Sequence, residues 1–232
     1  MELPLLHRDA HLAAFEKPSG LLVHRGWGDD AVTALDLARE AIGAYVYPVH
    51  RLDRGTSGVL LFALDGATAA LMQAAFERGE VEKTYLALVR GVPPEADLID
   101  HPIPRREGGP RVPAVTAVRR LAVPASDAVG LSPEVRRASL VEARPRTGRL
   151  HQVRRHLKHR SHPIIGDANY GKGALNRLFR EEIGLARLAL HAASMRLTHP
   201  VTGAALALEA RVPEDLRAPL ARLGISLNRS GA

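Results

Sequence analysis

The order of apolar and polar residues predicts several short strands. Residues 11–16 and 83–89 have strand length and are rich in apolar, β-branched or aromatic residues. Residues 58–64 form a nearly unbroken apolar run, which is typical of a strand buried on both faces. A turn made by Lys17-Pro18-Ser19-Gly20 ends the first of these segments. Later segments with a strand pattern lie near residues 138–143, 188–197 and 204–209.

Helical spacing of apolar residues predicts four helices. Asp30 is placed to cap the first, whose apolar face would consist of Val32, Leu35, Ala38 and Ile42. Asp65 and Gly79 are placed to begin and end the second, in which apolar pairs recur four residues apart at Leu71, Met72, Ala75 and Phe76. Residues 150–159 and 213–223 complete the set.

The remaining long segment, residues 91–113, is rich in proline, glycine and charge. We expect an exposed insertion rather than a domain linker, because strand patterns resume at Ala114. Strands and helices mix without regular βαβ alternation, so the pattern predicts an α+β fold with a central, largely antiparallel mixed sheet and flanking helices. No repeat or sharp change of composition divides the chain, and residues 1–232 are expected to form one domain.

Composition narrows the class of protein. Hydrophobic residues make up 46% of the 232 residues and charged residues 25%, as in ordinary globular proteins. The absence of cysteine excludes disulfides, thiolate metal sites and a cysteine nucleophile. The longest apolar run is too short to cross a bilayer, and the N-terminus lacks the pattern of a secretory signal. We therefore expect a cytoplasmic protein without a membrane partner.

Charge points to an acidic partner. The chain has 32 basic and 25 acidic residues, a net charge of +7, and only four of the basic residues are lysines. The planar guanidinium of arginine suits phosphate oxygens and also stacks on bases. An excess of clustered arginine is typical of nucleic-acid binding, although solvated charges in an arginine-rich proteome would give the same composition.

One candidate for chemistry is the segment 50–58, which precedes the buried strand. Asp53 lies in a glycine-containing turn, with Arg51 and Arg54 on its two sides. Neighbouring positive charge favours the ionised carboxylate, and such a carboxylate in a cleft can act as a nucleophile or a base. An aspartate between arginines is more often part of a surface ion pair, so this segment alone does not establish catalysis.

A second candidate is the segment 146–160. Thr147-Gly148 is predicted to start a helix whose free N–H groups favour an anion. Basic residues then follow closely, and they predict a phosphate-docking surface, with a merely solvated face as the alternative: Arg149, Arg154, Arg155, His156, Lys158, His159 and Arg160. The histidines at 151, 156, 159 and 162 lack cysteine or clustered carboxylate partners, so no metal site is expected.

Two shorter segments carry weaker signals. Lys83-Thr84-Tyr85 places a tyrosine in a strand, where tyrosine usually belongs to the core. The turn at 162–167 ends in Asp167, which could cap a helix, pair with an arginine or contact a substrate.

Taken in order, these segments resemble the RluA family of pseudouridine synthases. The shared motifs are the H-R-L-D turn at 50–53, K-x-Y at 83–85, T-G-R-x-H-Q-V-R at 147–154, H-P-I-x-G-D at 162–167 and L-H-A at 190–192. The similarity extends from about Leu12 to Thr202. Further details resemble the family's tRNA pseudouridine synthase C branch, which modifies uridine 65 in the T-stem of certain tRNAs: residues 17–25, 113–116, 176–177 and 184–188. Thr84-Tyr85-Leu86 follows the general family more than this branch.

This resemblance implies a pseudouridine synthase fold with an active-site cleft, no separate S4-like RNA-binding domain and no cofactor or metal. It implies that Asp53 attacks the sugar or removes a sugar proton, and that Arg149 keeps Asp53 ionised. Tyr85 would stack on the flipped uracil or assist the final proton removal, and Leu190 would line the pocket. Arg51 would enter the RNA helix where the base departs, and RNA contacts would come from a further set: His50, Arg54, Arg154, Arg155 and Lys158.

Several alternatives stay open at this stage. Ribosomal RNA is the rival substrate to tRNA within the same family. A non-catalytic RNA-binding module would need the Asp53 turn only for structure, and a base-flipping hydrolase would release uracil rather than rejoin it. We expect RNA rather than DNA as the partner, and a monomer because no long exposed apolar stripe is present.

Overall fold

A computed structural model describes residues 2–25, 32–105, 108–125 and 130–227. These residues form twelve strands and six helices, and ten of the strands belong to one mostly antiparallel sheet. The predicted α+β fold is therefore confirmed. The chain divides into two compact units: the first comprises Met1–Tyr85, Arg144–Gly148 and His191–Arg211, and the second comprises Leu86–Ala143, Arg149–Leu190 and Val212–Ala232.

The sheet of the first unit is built around a fully buried strand. Its strands are β1 (Leu5–Arg8), β2 (Leu12–Lys17), β3 (Tyr47–Pro48), β4 (Ser57–Ala63), β11 (Leu190–Thr198, from His191 onward) and β12 (Ala205–Glu209). Strand β4 pairs antiparallel with β2 and β3 and parallel with β11. All seven residues of β4 are buried, as its apolar run predicts.

Alternation along β2 and β4 gives the first unit two apolar faces. Phe15 and Phe62 belong to a core that includes Leu37 of helix α1 (Ala34–Ile42). Leu12 and Leu61 belong to the opposite core, which includes residues of helix α2 (Gly66–Arg78). Successive strand residues point to opposite faces, so a buried central strand needs apolar residues throughout.

The predicted caps of α2 are confirmed, whereas the predicted cap of α1 is not the one observed. Asp65 accepts a hydrogen bond from the Thr68 N–H and Gly79 ends α2 with a φ of 74°, as predicted. Helix α1 instead begins at a capping box formed by Thr33 and Asp36. Asp30, the predicted cap, lies outside the described residues, and Val32 is not on the apolar face because it precedes the helix and is 48% exposed.

The second unit combines strands with four helices. Strand β5 (Glu82–Arg90) begins in the first unit and continues into the second from Leu86, and β10 (Ala138–Pro145) ends in the first. The other elements are β6 (Ala96–Asp100), β7 (Ile103–Pro104), β8 (Arg111–Val112), β9 (Val115–Ala122), α3 (Pro133–Arg136), α4 (Gln152–His159), α5 (Gly173–Ile183) and α6 (Glu214–Arg222). None of the helices in the described ranges has the length and apolar composition needed to cross a membrane.

Residues 91–113 are mostly exposed, as expected, but the segment is not a simple insertion, because its described residues include three strands. Strand β6 pairs with β9 along its whole length, and β7 pairs with β8 in a hairpin. Ile99 and Ile103 are buried. Only every other residue of β6 faces inward, so its short alternating pattern is hidden among prolines and charges.

The predicted helix start at Thr147-Gly148 is also wrong. Helix α4 begins at Gln152, after His151 with a φ of 54°. The Gln152 side chain folds back to accept a hydrogen bond from the Arg149 N–H at 3.0 Å. The basic segment therefore enters its helix through a tight left-handed residue rather than at the glycine.

A close approach of two strands makes Gly58 irreplaceable in the first unit. Its φ is +118°, and a Cβ at this position would lie 2.1 Å from the Ala192 carbonyl oxygen. We predict that Gly58→Ala costs about 3 kcal/mol or more of unfolding free energy, because steric overlap adds to backbone strain.

The control is Gly203→Ala, at φ +72° with no atom within 4 Å of the added Cβ. That control should cost only about 1–2 kcal/mol. Equal losses in denaturant titrations of the two variants would contradict the steric argument.

Candidate active site

Asp53 lies in a turn that leads directly into the buried strand β4. The Thr56 N–H donates to the Asp53 carbonyl oxygen at 3.0 Å and closes the turn. Leu52 points into the core, whereas Arg51 is exposed and Asp53 is half-buried. The turn is thus held by a backbone hydrogen bond and by the buried Leu52 side chain, and it leaves the Asp53 carboxylate near the first residue of β4.

A buried lysine that the sequence reasoning did not assign holds this turn in place. Lys17 is 0% exposed, and its Nζ donates to the carbonyl oxygens of Pro18 at 2.8 Å, Leu21 at 2.7 Å and Arg54 at 3.2 Å. Three carbonyl acceptors compensate the cost of burying an ammonium group. A lysine at the end of an apolar strand and immediately before proline was the available signal.

Further hydrogen bonds connect the same two turns. Arg54 donates from Nε to the Gly20 carbonyl at 3.0 Å, and its own carbonyl accepts from the Gly20 N–H at 2.8 Å. Ser19 Oγ donates to the Gly55 carbonyl at 2.8 Å. The Lys17-Pro18-Ser19-Gly20 turn is therefore the support of the Asp53 turn, and Arg54 is engaged in that support.

The start of β4 is fixed on its other side by a buried side-chain pair. Ser57 Oγ and His191 Nδ1 are 2.9 Å apart, and both residues are buried. His191 follows Leu190, which the sequence proposed as the pocket wall and which is 3% exposed in the second unit. The sequence analysis did not assign this role to His191, because the sequence shows the motif around His191 but not its contact with Ser57.

His50 is a neutral structural residue in this arrangement. Its Nε2 accepts the Leu61 N–H at 2.9 Å, and its ring stacks on Phe76 with centroids 5.2 Å apart. Burial and the nearby charge of Lys83 lower the pKa of His50 to about 3. The imidazole therefore carries no positive charge at neutral pH with which to attract a phosphate.

Tyr85 is electrostatically coupled to Asp53. Its ring packs against the core cluster that contains Leu52. Burial raises the pKa of the Tyr85 phenol above its usual value, and the negative charge of Asp53 raises that pKa further. The phenol therefore stays protonated at neutral pH, which favours stacking over action as a base.

Among the predicted basic residues, Arg154 is turned inward. Its Nε and Nη2 donate to the two carboxylate oxygens of Asp167 at 2.7 and 2.9 Å, and the two side chains are 8% and 0% exposed. Contact between Arg154 and a phosphate would require this buried pair to open, which is costly. Of the three roles that the sequence left open for Asp167, the structure shows the pairing with an arginine.

The other predicted basic residues lie nearer the surface of the second unit. Arg149 and Lys158 are exposed, and Arg149 Nε donates to the Pro113 carbonyl at 3.3 Å. Arg155 is half-buried and donates from Nε to the Tyr170 hydroxyl at 2.8 Å. Because Asp53 and Tyr85 belong to the first unit and these residues to the second, their pairing across the active site stays a prediction.

Comparison with known proteins places these features in context. Residues 11–159 match the family model described as RNA pseudouridylate synthase. The chain is 41% identical to tRNA pseudouridine synthase C of Vibrio cholerae serotype O1 over 235 residues, which cover 96% of each chain. It is 46% identical to the protein of the same name from Haemophilus ducreyi over 213 residues, covering 87% of this chain and 88% of that one.

Solved structures show the same similarity in three dimensions. Human RNA Pseudouridylate Synthase Domain Containing 4 matches with a TM-score of 0.74 and 29% identity, covering 97% of this chain and 94% of that chain. Human RNA Pseudouridylate Synthase Domain Containing 1 matches with a TM-score of 0.75 and 26% identity, covering 94% and 87%.

The neutral state of His50 predicts a dependence of stability on pH. An unfolded histidine binds a proton below about pH 6.5, whereas folded His50 resists protonation until about pH 3. Stability should therefore fall with pH below about 6.5, by about 1.4 kcal/mol per pH unit from this residue. His50→Gln, which can still accept the Leu61 N–H, should show a shallower loss in denaturant titrations between pH 7 and 4. Parallel curves for the two proteins would contradict the assignment.

Proposed function

Because this chain belongs to the RNA pseudouridylate synthase family, we propose that it acts on tRNA, at uridine 65 of the T-stem, through Asp53. The chain is an isomerase that converts uridine to pseudouridine in RNA. The observation that carries the assignment of Asp53 is its place: a half-exposed carboxylate in a turn anchored by Lys17 and coupled to the Tyr85 phenol.

For this isomerisation the enzyme has to position the uridine and supply a charged group next to its ribose. The bond from the ribose to the uracil nitrogen breaks, the uracil rotates, and a ring carbon joins the ribose. That carbon then loses its proton and the released nitrogen gains one, so the atoms of the RNA are conserved. Asp53 acts on the ribose, either as a nucleophile or by removing a sugar proton. The buried support from Lys17 and Ser57 keeps the Asp53 backbone from shifting, because neither side chain can leave its hydrogen-bond partners without cost.

A uridine in a stem must leave its stack to reach Asp53, at a cost of a few kcal/mol. Tyr85 receives the flipped uracil against its neutral ring. Arg51 is exposed in the same turn as Asp53, and we propose that it fills the gap left in the RNA helix. The protonated phenol supports the stacking role for Tyr85 rather than proton removal.

We propose two contributions to the reaction from the second unit. Arg149 pairs with the Asp53 carboxylate and keeps it ionised, a role supported by its place in the T-G-R motif. Leu190 forms an apolar wall of the uracil pocket, which its buried position supports.

We propose that the exposed basic surface of the second unit holds the RNA backbone. Lys158 is exposed on α4, and Arg155 lies half-buried beside it. Arg105 and exposed Arg111 lie at or beside the hairpin of β7 and β8, which could extend the contact along a stem. Arg154 instead stabilises the base of α4 through Asp167.

The choice of tRNA rests on the curated relatives, which are tRNA pseudouridine synthases C and align over nearly the whole chain. Uridine 65 rests on the resemblance to that branch in residues 17–25 and 113–116. We further propose that the protein works in the cytoplasm, where tRNA is found, as a monomer with a single catalytic domain that selects RNA over DNA.

The test of the substrate uses RNA from a strain that lacks this gene. Purified tRNA and ribosomal RNA are incubated separately with the protein, and new pseudouridines are mapped at single-nucleotide resolution. We expect modification at uridine 65 of tRNA and none in ribosomal RNA. The matched control is each RNA incubated without protein. New pseudouridine in ribosomal RNA alone would overturn the choice of tRNA while leaving the reaction intact.

A further inference from the structure

Strand β5 brings a second side chain to the active-site face. Alternate residues of a strand point to the same side, so Lys83 and Tyr85 share one face of β5. Tyr85 packs against the core cluster that contains Leu52, the residue before Asp53, and the charge of Asp53 raises the pKa of the Tyr85 phenol. Lys83 therefore lies next to the chemistry without a role in the mechanism so far.

The surroundings of Lys83 are unusual for a lysine. Its Nζ lies 5.7 Å from the centre of the Phe76 ring, and a Cβ on Gly148 would come within 3.8 Å of Nζ. His50, whose pKa the charge of Lys83 lowers, is a neutral imidazole. Within residues 2–25, 32–105, 108–125 and 130–227, no carboxylate or hydrogen-bond acceptor pairs with this ammonium group.

An ammonium group that is partly removed from water and has no counter-ion is unfavourable. Burial lowers the pKa of Lys83 for this reason. The contrast with Lys17 is informative, because that lysine is more buried but is compensated by three carbonyl oxygens. An anion brought by the substrate would compensate Lys83 in the bound state only.

We propose that Lys83 binds the phosphate of the target uridine and thereby positions its ribose against Asp53. A nucleotide presents a base at one end and a phosphate at the other. Lys83 and Tyr85 are about 7 Å apart along the strand, so a uracil on Tyr85 leaves its phosphate within reach of Lys83. This inference rests on the proposed function and adds a positioning residue to it.

The first experiment compares Lys83→Met, Lys83→Arg and the control Lys172→Met, which removes an exposed lysine at the start of α5. Lys83→Met should lower kcat/KM for tRNA about 10- to 100-fold, the usual effect of losing a charged hydrogen bond. Lys83→Arg should recover most of that loss, and Lys172→Met should match wild type. Thermal unfolding of Lys83→Met should not occur at a lower temperature than in wild type, because the variant loses an ammonium group without a counter-ion and methionine can still pack near Phe76.

A chemically altered substrate identifies the contact itself. A stem-loop RNA carries one uncharged methylphosphonate at the phosphate of the target uridine, or at a phosphate two nucleotides away as the control. The methylphosphonate at the target should slow the wild-type enzyme about as much as Lys83→Met does, and should have almost no further effect on that variant.

The outcomes separate this inference from the proposed function. If wild type forms no pseudouridine in the unmodified RNA, the proposed function fails. If wild type is active but the two losses multiply at the target phosphate, or Lys83→Met equals wild type, the inference about Lys83 is overturned while the function stands.

Discussion

The structure depends on how tightly strand β4 is held at its first two residues. Gly58 passes so close to the Ala192 carbonyl that no side chain fits, and Ser57 is hydrogen-bonded to buried His191 beside it. The turn that contains Asp53 immediately precedes these two residues. Protein interiors are close-packed and resist small displacements. The fixed start of β4 therefore holds the adjacent turn, and with it the Asp53 carboxylate, in one position.

Burial decides which side chains around Asp53 carry a charge. Lys17 is buried and fully compensated by carbonyl oxygens, so it acts as a fixed support. His50 and Tyr85 are both held neutral at neutral pH, because burial shifts each pKa away from the charged form. Neither the imidazole nor the phenol therefore carries a charge that would compete with Asp53 or Lys83 in the nucleotide binding that we propose.

The sequence was informative where local chemistry decides the structure. The apolar run of β4 and the Asp65 and Gly79 caps of α2 depend on neighbouring residues, and all were predicted. Strand β6, within residues 91–113, was missed because its pairing with β9 is a tertiary contact. The same reason explains the inward turn of Arg154, since its partner Asp167 is thirteen residues away and no helical pattern reveals it. The order of the motifs predicted the family. The hydrogen bonds that hold the Asp53 turn, from Lys17 and between Ser57 and His191, join distant parts of the chain and are visible only in the structure.

We propose above all that Asp53 carries out the isomerisation while the remainder of the site binds and positions RNA. The most direct measurement compares wild type and Asp53→Asn in single-turnover conversion of uridine in tRNA, with tRNA binding measured on the same samples. The substitution keeps the size of the side chain and removes its charge. We expect Asp53→Asn to convert uridine about a thousandfold or more slowly than wild type, with tRNA binding within about threefold of wild type. Conversion within about a hundredfold of wild type would contradict it.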